Sequence, residues 1–233
     1  MIIKVIKVIK LMTRKILIVA AHPDDEMLGC AGVSAKNIMA GDEVHVLFMT
    51  NGVDARNEDS AKELERQAAT QKALDIVGIS SVKKLNLPDN KMDSIPLLEI
   101  IRLIEETIKK INPSVIYTHH IGDLNIDHRI THQAVMTVCR PQPKFCVKEI
   151  YAFEVLSSTE WQTSNYNQFL PNVFVDITNY VHIKKDALMA YNDEMRQPPH
   201  SRSVDNVLRL SNFRGNSVGC NYAEAFMLLR KID

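Results

Sequence analysis

Two hydrophobic rhythms alternate along this chain, and their alternation limits the folds open to it more than any other feature. Residues 15–20 (KILIVA) are a short run rich in Ile and Val, the pattern of a buried strand. Residues 26–39 follow with apolar positions at helical spacing and close at Gly41. The pair repeats: a strand signal over residues 42–50 ends in Asn51-Gly52, and residues 60–77 read as a long amphipathic helix closed by Gly78. A third round places a strand at 83–87, a helix at 95–111 and a further strand at 115–118 behind Asn112-Pro113. Strands separated by helices return in the same direction, which makes a parallel sheet with helices on its faces. The sequence therefore predicts an α/β fold, a Rossmann-like, mostly parallel sheet flanked by helices.

The carboxyl-terminal part is less regular. A helix is expected from residue 127 to about 139, stopped by Pro141 and Pro143; strands follow at 149–153 and 173–176. Residues 178–195 and 203–212 read as helices, and 223–229 as a last apolar strand. No repeat, low-complexity tract or linker divides the chain, and 233 residues with 45% apolar content suffice for one full core. Residues 15–233 are thus expected to form a single domain, with residues 1–14 as an amino-terminal extension outside the fold. In that extension Lys4, Lys7 and Lys10 interrupt the apolar run before it reaches signal-peptide length, and no later run reaches the length of a membrane span.

Charge and cysteine usage narrow the function. Lysine plus arginine balances aspartate plus glutamate at 28 each, so the overall field favours neither nucleic acid nor an anionic membrane, and a small-molecule partner is expected. The four cysteines include no Cys-x-x-Cys pair, which suits reduced thiols in a cytoplasmic protein.

Open parallel sheets bind ligands at the carboxyl ends of their strands, so polar residues just after strands are the first candidates. Three clusters stand there: Ala21-His22-Pro23-Asp24-Asp25-Glu26, Thr50-Asn51-Gly52, and residues 118–132. In the first, His22 and Asp25 are three apart at a helix start, a spacing that lets both side chains meet one ion while Asp24 points elsewhere. The same residues also suit a plain helix start, with Pro23 in the first turn and acids facing the positive end of the dipole. The third cluster holds four of the eight histidines within fifteen residues: His119, His120, His128 and His132. His22, Asp25 and one histidine from this cluster would make the two-histidine, one-carboxylate set of hydrolytic zinc. Spacing leaves the choice between His128 and His132 open, because residues four apart share a helix face.

The Ala-His-Pro-Asp-Asp-Glu run after the first strand and the later Asp127-His128 pair resemble the LmbE-like (PIG-L) family of N-acetylglucosaminyl deacetylases, from about Lys15 to the Ala223-Glu224-Ala225-Phe226 stretch. The resemblance implies His22, Asp25 and His128 as ligands of one divalent metal, Zn2+ by family habit, with Fe2+ or Co2+ equally suited to the ligand types. It also implies Asp24 as the base that takes a proton from the attacking water, Asp127 behind a ligating histidine, and His132 in support. Many members carry a histidine three residues before the last ligand; here that position is Asn125, which can donate a hydrogen bond to a substrate carbonyl but cannot supply a proton. The general acid is then sought among protonated Asp24, His119, His120 and His200. Arg56, in the loop after the second strand, is where relatives contact the sugar, and a guanidinium there suits hydroxyls or a phosphate.

The expected function is metal-dependent removal of an N-acetyl group from an amino sugar or sugar conjugate. Two alternatives stand beside it: a phosphoesterase, in which Asp123 and Asp127 would bridge two metals, and a sugar-binding relative without turnover. No Gly-x-Gly-x-x-Gly follows the first strand, so no dinucleotide is expected. Assembly with further copies of the chain, with the apolar extension as an interface, completes the expectations.

Overall fold

The computed structural model describes residues 13–52, 60–143, 147–163 and 167–233. Strand β1 (Lys15–Ala20) is buried beyond its first residue because it lies inside the sheet, paired in parallel with β2 (Glu43–Thr50) on one side and β4 (Val115–His119) on the other. β3 (Ser81–Leu87) extends the sheet beyond β2, and β5 (Glu149–Phe153) beyond β4, both in parallel. The seven strands run in the order β3-β2-β1-β4-β5-β7-β6, and β7 (Ala223–Lys231) and β6 (Val173–Asp176) are the antiparallel exceptions. The order reverses at β1 and β4, the place where an open sheet of this kind leaves a crevice at its carboxyl edge.

Side chains of β1 alternate between two cores. Ile16 and Ile18 face α1 (Asp25–Met39), α2 (Ser60–Val77) and α5 (Val181–Ala190), through Leu28, Val33, Leu74 and Leu188. Leu17 and Val19 face α3 (Leu97–Ile111) and α4 (Ile126–Val138), through Ile100, Ile104 and Val135. α6 (Val204–Asn216) packs on β7 on the first of these faces. A helix–sheet–helix sandwich results, as the alternation predicts.

α1 lies unusually close to the sheet. A β-carbon on Gly29 would come within 2.5 Å of the Phe153 ring, and one on Gly32 within 2.7 Å of Ile177. Midway along the helix, Gly32 and Val33 donate their backbone N–H groups to the Glu224 carboxylate at 2.9 and 2.7 Å, and Lys184 Nζ bonds both Glu224 (2.6 Å) and the Leu28 carbonyl (2.7 Å). This buried clamp fixes the amino-terminal end of α1, and with it Asp25, over the sheet edge.

The differences from expectation have local causes. The helix expected over 178–195 spans only Val181–Ala190, because residues 191–194 turn and Glu194 pairs with Arg66 on α2. Residue periodicity carries no signal for strand direction, so the antiparallel setting of β6 and β7 was not readable. Arg14, grouped with the extension by pattern, is tied to the domain by bonds to Asp42 and Asn37. Residues 1–12 lie outside the described residues.

Candidate metal and catalytic site

Three strand ends deliver the site. The chain leaves β1 through His22, Pro23 and Asp24 into α1; it leaves β4 at His119 and reaches α4 through a loop ending at Asn125; and just past β3 it places Asp89. His22, Asp24, Asp25, Asp89, Asp123, Asp127 and His128 are all buried.

At the centre His22 Nδ1, Asp25 Oδ2 and His128 Nε2 form a nearly equilateral triangle with edges of 3.2, 3.3 and 3.3 Å. The outer ring nitrogens face carboxylates. His22 Nε2 lies 3.2 Å from both Asp127 Oδ2 and Asp89 Oδ1, and His128 Nδ1 lies 3.1 Å from Asp123 Oδ1, at ion-pair distance but off the line of a straight hydrogen bond. Carboxylates on the outer nitrogens hold hydrogen there and turn the inner lone pairs toward one another and toward Asp25. Three lone pairs facing each other are repulsive unless a cation sits among them. Tetrahedral zinc with bonds of about 2.0–2.1 Å sets its ligand atoms about 3.3 Å apart, so the triangle fits one face of such a site. Asp25 Oδ1 is buried with no hydrogen-bond partner, a further sign that this carboxylate serves something other than the protein.

The electrostatics agree. Burial opposes charge on His128, but Asp25 and Asp123 outweigh it and push the pKa up to about 9. Burial is likewise outweighed at His22, by Asp127, Asp25 and Asp89. Burial would raise Asp25, yet the His128 ring beside it holds it well below the usual carboxylate range. The surrounding carboxylates favour positive charge here, carried by protons on the two rings or by a cation between them.

Asp127 accepts the backbone N–H groups of Asn90 (2.7 Å) and Met92 (3.1 Å). Asp123 accepts the Ser158 hydroxyl, the Thr159 hydroxyl (2.6 Å) and the Asn125 N–H (2.9 Å). Their oxygens are thus engaged in holding His22 and His128. His22, Asp89 and Asp127 form a second close group of donor atoms, but with those backbone hydrogens on Asp127 it acts as a clamp on the histidine.

Asp24 stands beside the triangle in a strained conformation, with φ of 113°. Glu26 holds it by accepting its backbone N–H at 2.9 Å, and the Tyr191 hydroxyl bonds the other Glu26 oxygen at 2.8 Å. Burial pushes the Glu26 carboxyl up to about 8. The Asp24 carboxylate pairs with Arg202, at 2.9 Å, with Arg66 at 4.0 Å. Burial raises its pKa above the ordinary value, and the Arg202 charge offsets that in part.

The remaining sequence candidates are placed as follows. His132 Nδ1 is 2.8 Å from the His119 carbonyl, away from the triangle. His119 accepts the Ala21 N–H on Nε2 at 2.8 Å, and burial holds its pKa well below the usual value, which leaves it neutral with its proton on the far nitrogen. His120 Nε2 lies 2.6 Å from the Asn167 carbonyl. His200 accepts the Arg202 N–H at 3.0 Å. Asn125 caps α4, its oxygen accepting the Asp127 N–H (2.8 Å) and its amide donating to Asn90 (3.0 Å). Arg56 lies outside the described residues. Sequence reasoning missed Asp89, although it follows a strand as the other site residues do, and read Asp123 only as a bridge between two metals. Arg66, in mid-helix, carries no local signal.

Against known proteins, the family described as GlcNAc-PI de-N-acetylase (PIG-L) matches residues 17–139. The uncharacterized deacetylase YaiS of Escherichia coli (strain K12) is 30% identical over 179 residues, covering 74% of this chain and 88% of that protein. Among solved structures, the N,N'-diacetylchitobiose deacetylase of Pyrococcus horikoshii superposes with a TM-score of 0.76 at 19% identity, covering 94% of this chain and 85% of that one. The 4-carboxy-2-hydroxymuconate hydratase GalB of Pseudomonas putida KT2440 superposes at 0.73 and 19% identity, covering 95% and 98%. One scaffold therefore carries both deacetylases and a hydratase, and the site has to distinguish them.

Proposed function

Because this chain belongs to the GlcNAc-PI de-N-acetylase (PIG-L) family, we propose that it is a metal-dependent hydrolase that removes an N-acetyl group from an amino sugar or sugar conjugate. The observation that carries this reading is the triangle of His22 Nδ1, Asp25 Oδ2 and His128 Nε2, at 3.2 to 3.3 Å, with a carboxylate base beside it. His22, Asp25 and His128 would hold one divalent metal, Zn2+ by family habit, which would lower the pKa of water and polarise the acetamide carbonyl. Asp24 takes the proton of the attacking water as its oxygen bonds the carbonyl carbon, and returns it to the sugar nitrogen as the C–N bond breaks, leaving acetate and free amine. Its raised pKa suits both halves of that transfer. We give the acid step to Asp24 as well: His119 is neutral with its Nε2 accepting the Ala21 N–H, His120 Nε2 faces the Asn167 carbonyl, and His200 accepts the Arg202 N–H. Asp127 and Asp123 hold the two ligating histidines in the required tautomers. Asn125 retains one amide hydrogen for the substrate after its bonds to Asp127 and Asn90.

The bridging role that a two-metal phosphoesterase would ask of Asp123 and Asp127 is disfavoured, because hydroxyl and backbone donors occupy their oxygens. Amine release from N-acetylated sugars, before and after chelation and on restoring Zn2+, Fe2+ or Co2+, tests the reading. Activity should vanish on chelation and return with metal. A metal-loaded protein that frees no amine from any N-acetyl sugar, yet hydrates an unsaturated acid or cleaves a phosphoester, would overturn it.

A further inference from the structure

Trp161 is the only tryptophan in the chain, and 48% of its surface is open to solvent. Its loop is nonetheless bonded to the site. It ends a 3-10 turn (Thr159–Trp161), and its backbone N–H bonds the Ser158 carbonyl at 3.3 Å. In the same turn the Ser158 and Thr159 hydroxyls donate to Asp123, the carboxylate 3.1 Å from His128 Nδ1. Across from the indole, the His200 ring meets it nearly at right angles, with centroids 5.8 Å apart and planes at 72°. His200 accepts the Arg202 N–H at 3.0 Å, and the Arg202 guanidinium reaches Ser157 (2.8 Å) and Asp24 (2.9 Å). Two loops therefore converge on this aromatic pair. One is bonded to the carboxylate behind His128; the other is bonded to Asp24.

An exposed indole pays in hydration for its apolar face, and one whose loop is tied to a reaction centre is suited to cover something with a matching face. A pyranose has that form. Its hydroxyls lie around the rim, while its ring faces present C–H groups, which are apolar and slightly positive and so complement the negative face of an aromatic ring. Resting on the deacetylase reading above, we propose that Trp161, braced by His200, is the stacking face for the pyranose ring of the substrate. Through the two loops, the sugar would be set at a fixed distance from the metal ligands and Asp24, with the acetamide carried toward them.

Because no other tryptophan contributes, the emission of Trp161 reports its surroundings directly. The test titrates the metal-loaded wild-type protein with N-acetylglucosamine, with N-acetylethanolamine, which has the acetamide but no ring, and with octanol as an apolar probe. Kinetics on N-acetylglucosamine are measured for Trp161→Phe and Trp161→Ala, with metal content determined for each. The sugar should shift or quench the emission saturably while N-acetylethanolamine and octanol do not. Trp161→Ala should keep its metal and raise KM about tenfold, the scale of one lost aromatic contact, with kcat nearly unchanged, and Trp161→Phe should recover most of the loss. Emission unmoved at sugar concentrations that saturate turnover, a response to octanol alone, or a Trp161→Ala effect confined to kcat would overturn the proposal. The two readings fail separately: a saturable sugar response in a protein that cleaves no acetamide keeps the stacking face and removes the deacetylase, whereas turnover with silent emission does the reverse.

Discussion

At Asp25 a buried carboxylate faces two imidazole nitrogens with one oxygen and nothing in the protein with the other. On the proposed reading that arrangement is built around a cation, and its precision depends on the groups behind the ligands. Replacing Asp123 with Ala removes the partner of His128 Nδ1 and frees the ring to rotate; metal affinity measured by competition with a chelator should fall about 10- to 100-fold. Asp24→Asn leaves the triangle intact but cannot accept a proton, so its kcat should fall on the order of 100- to 10,000-fold with metal still bound. Some of this was legible in the sequence. His22 and Asp25 are three apart at a helix start, and strand ends are where sites form, so the pair could be read directly. His128 and His132 share a helix face, and only the course of α4 past β4 puts one at the centre and the other on the His119 carbonyl. Arg202 approaches Asp24 from 178 residues away, a distance across which spacing carries no information.

Among the elements, α1 bears most on the site, because it carries Asp25 and lies against the sheet through two glycines. Its anchor is the buried Lys184–Glu224 pair. Lys184→Met would strand the Glu224 carboxylate without its cation, and denaturant unfolding should show a loss of about 3–5 kcal/mol. Changing Glu224 to Gln in the same protein removes the stranded charge and should restore part of that stability; an equal loss in single and double variants would contradict the account. The strands and helices themselves were readable because strand and helix periods differ and because Gly41, Gly78 and Asn112-Pro113 mark their ends. β6 and β7 were readable as strands but not as antiparallel ones. The last five residues of the helix expected over 178–195 yield to the turn held by the Arg66–Glu194 contact, which no local pattern encodes.

For the whole molecule, burial of histidine couples stability to pH. Burial lowers the pKa of both His120 and His132. Such a group stays neutral in the folded state while the unfolded chain takes up a proton below about pH 6.5, so folding loses free energy as pH falls through that value and keeps it above. His132→Asn preserves a donor for the His119 carbonyl without a titrating ring. Urea unfolding should therefore show the wild type falling behind this variant below about pH 6.5, by at most about 1.4 kcal/mol per pH unit, and parallel curves would exclude the coupling. The fold as a whole sets β1 beside β4 where the strand order reverses, and every residue of the triangle stands at that junction. The metal bound per chain in the purified protein and in two variants, measured by elemental analysis, tests the proposed site most directly. About one divalent ion is expected in the wild type, about one in Asp24→Asn and essentially none in His128→Ala; full occupancy in His128→Ala, or no metal in the wild type even after reconstitution, would contradict the metal site.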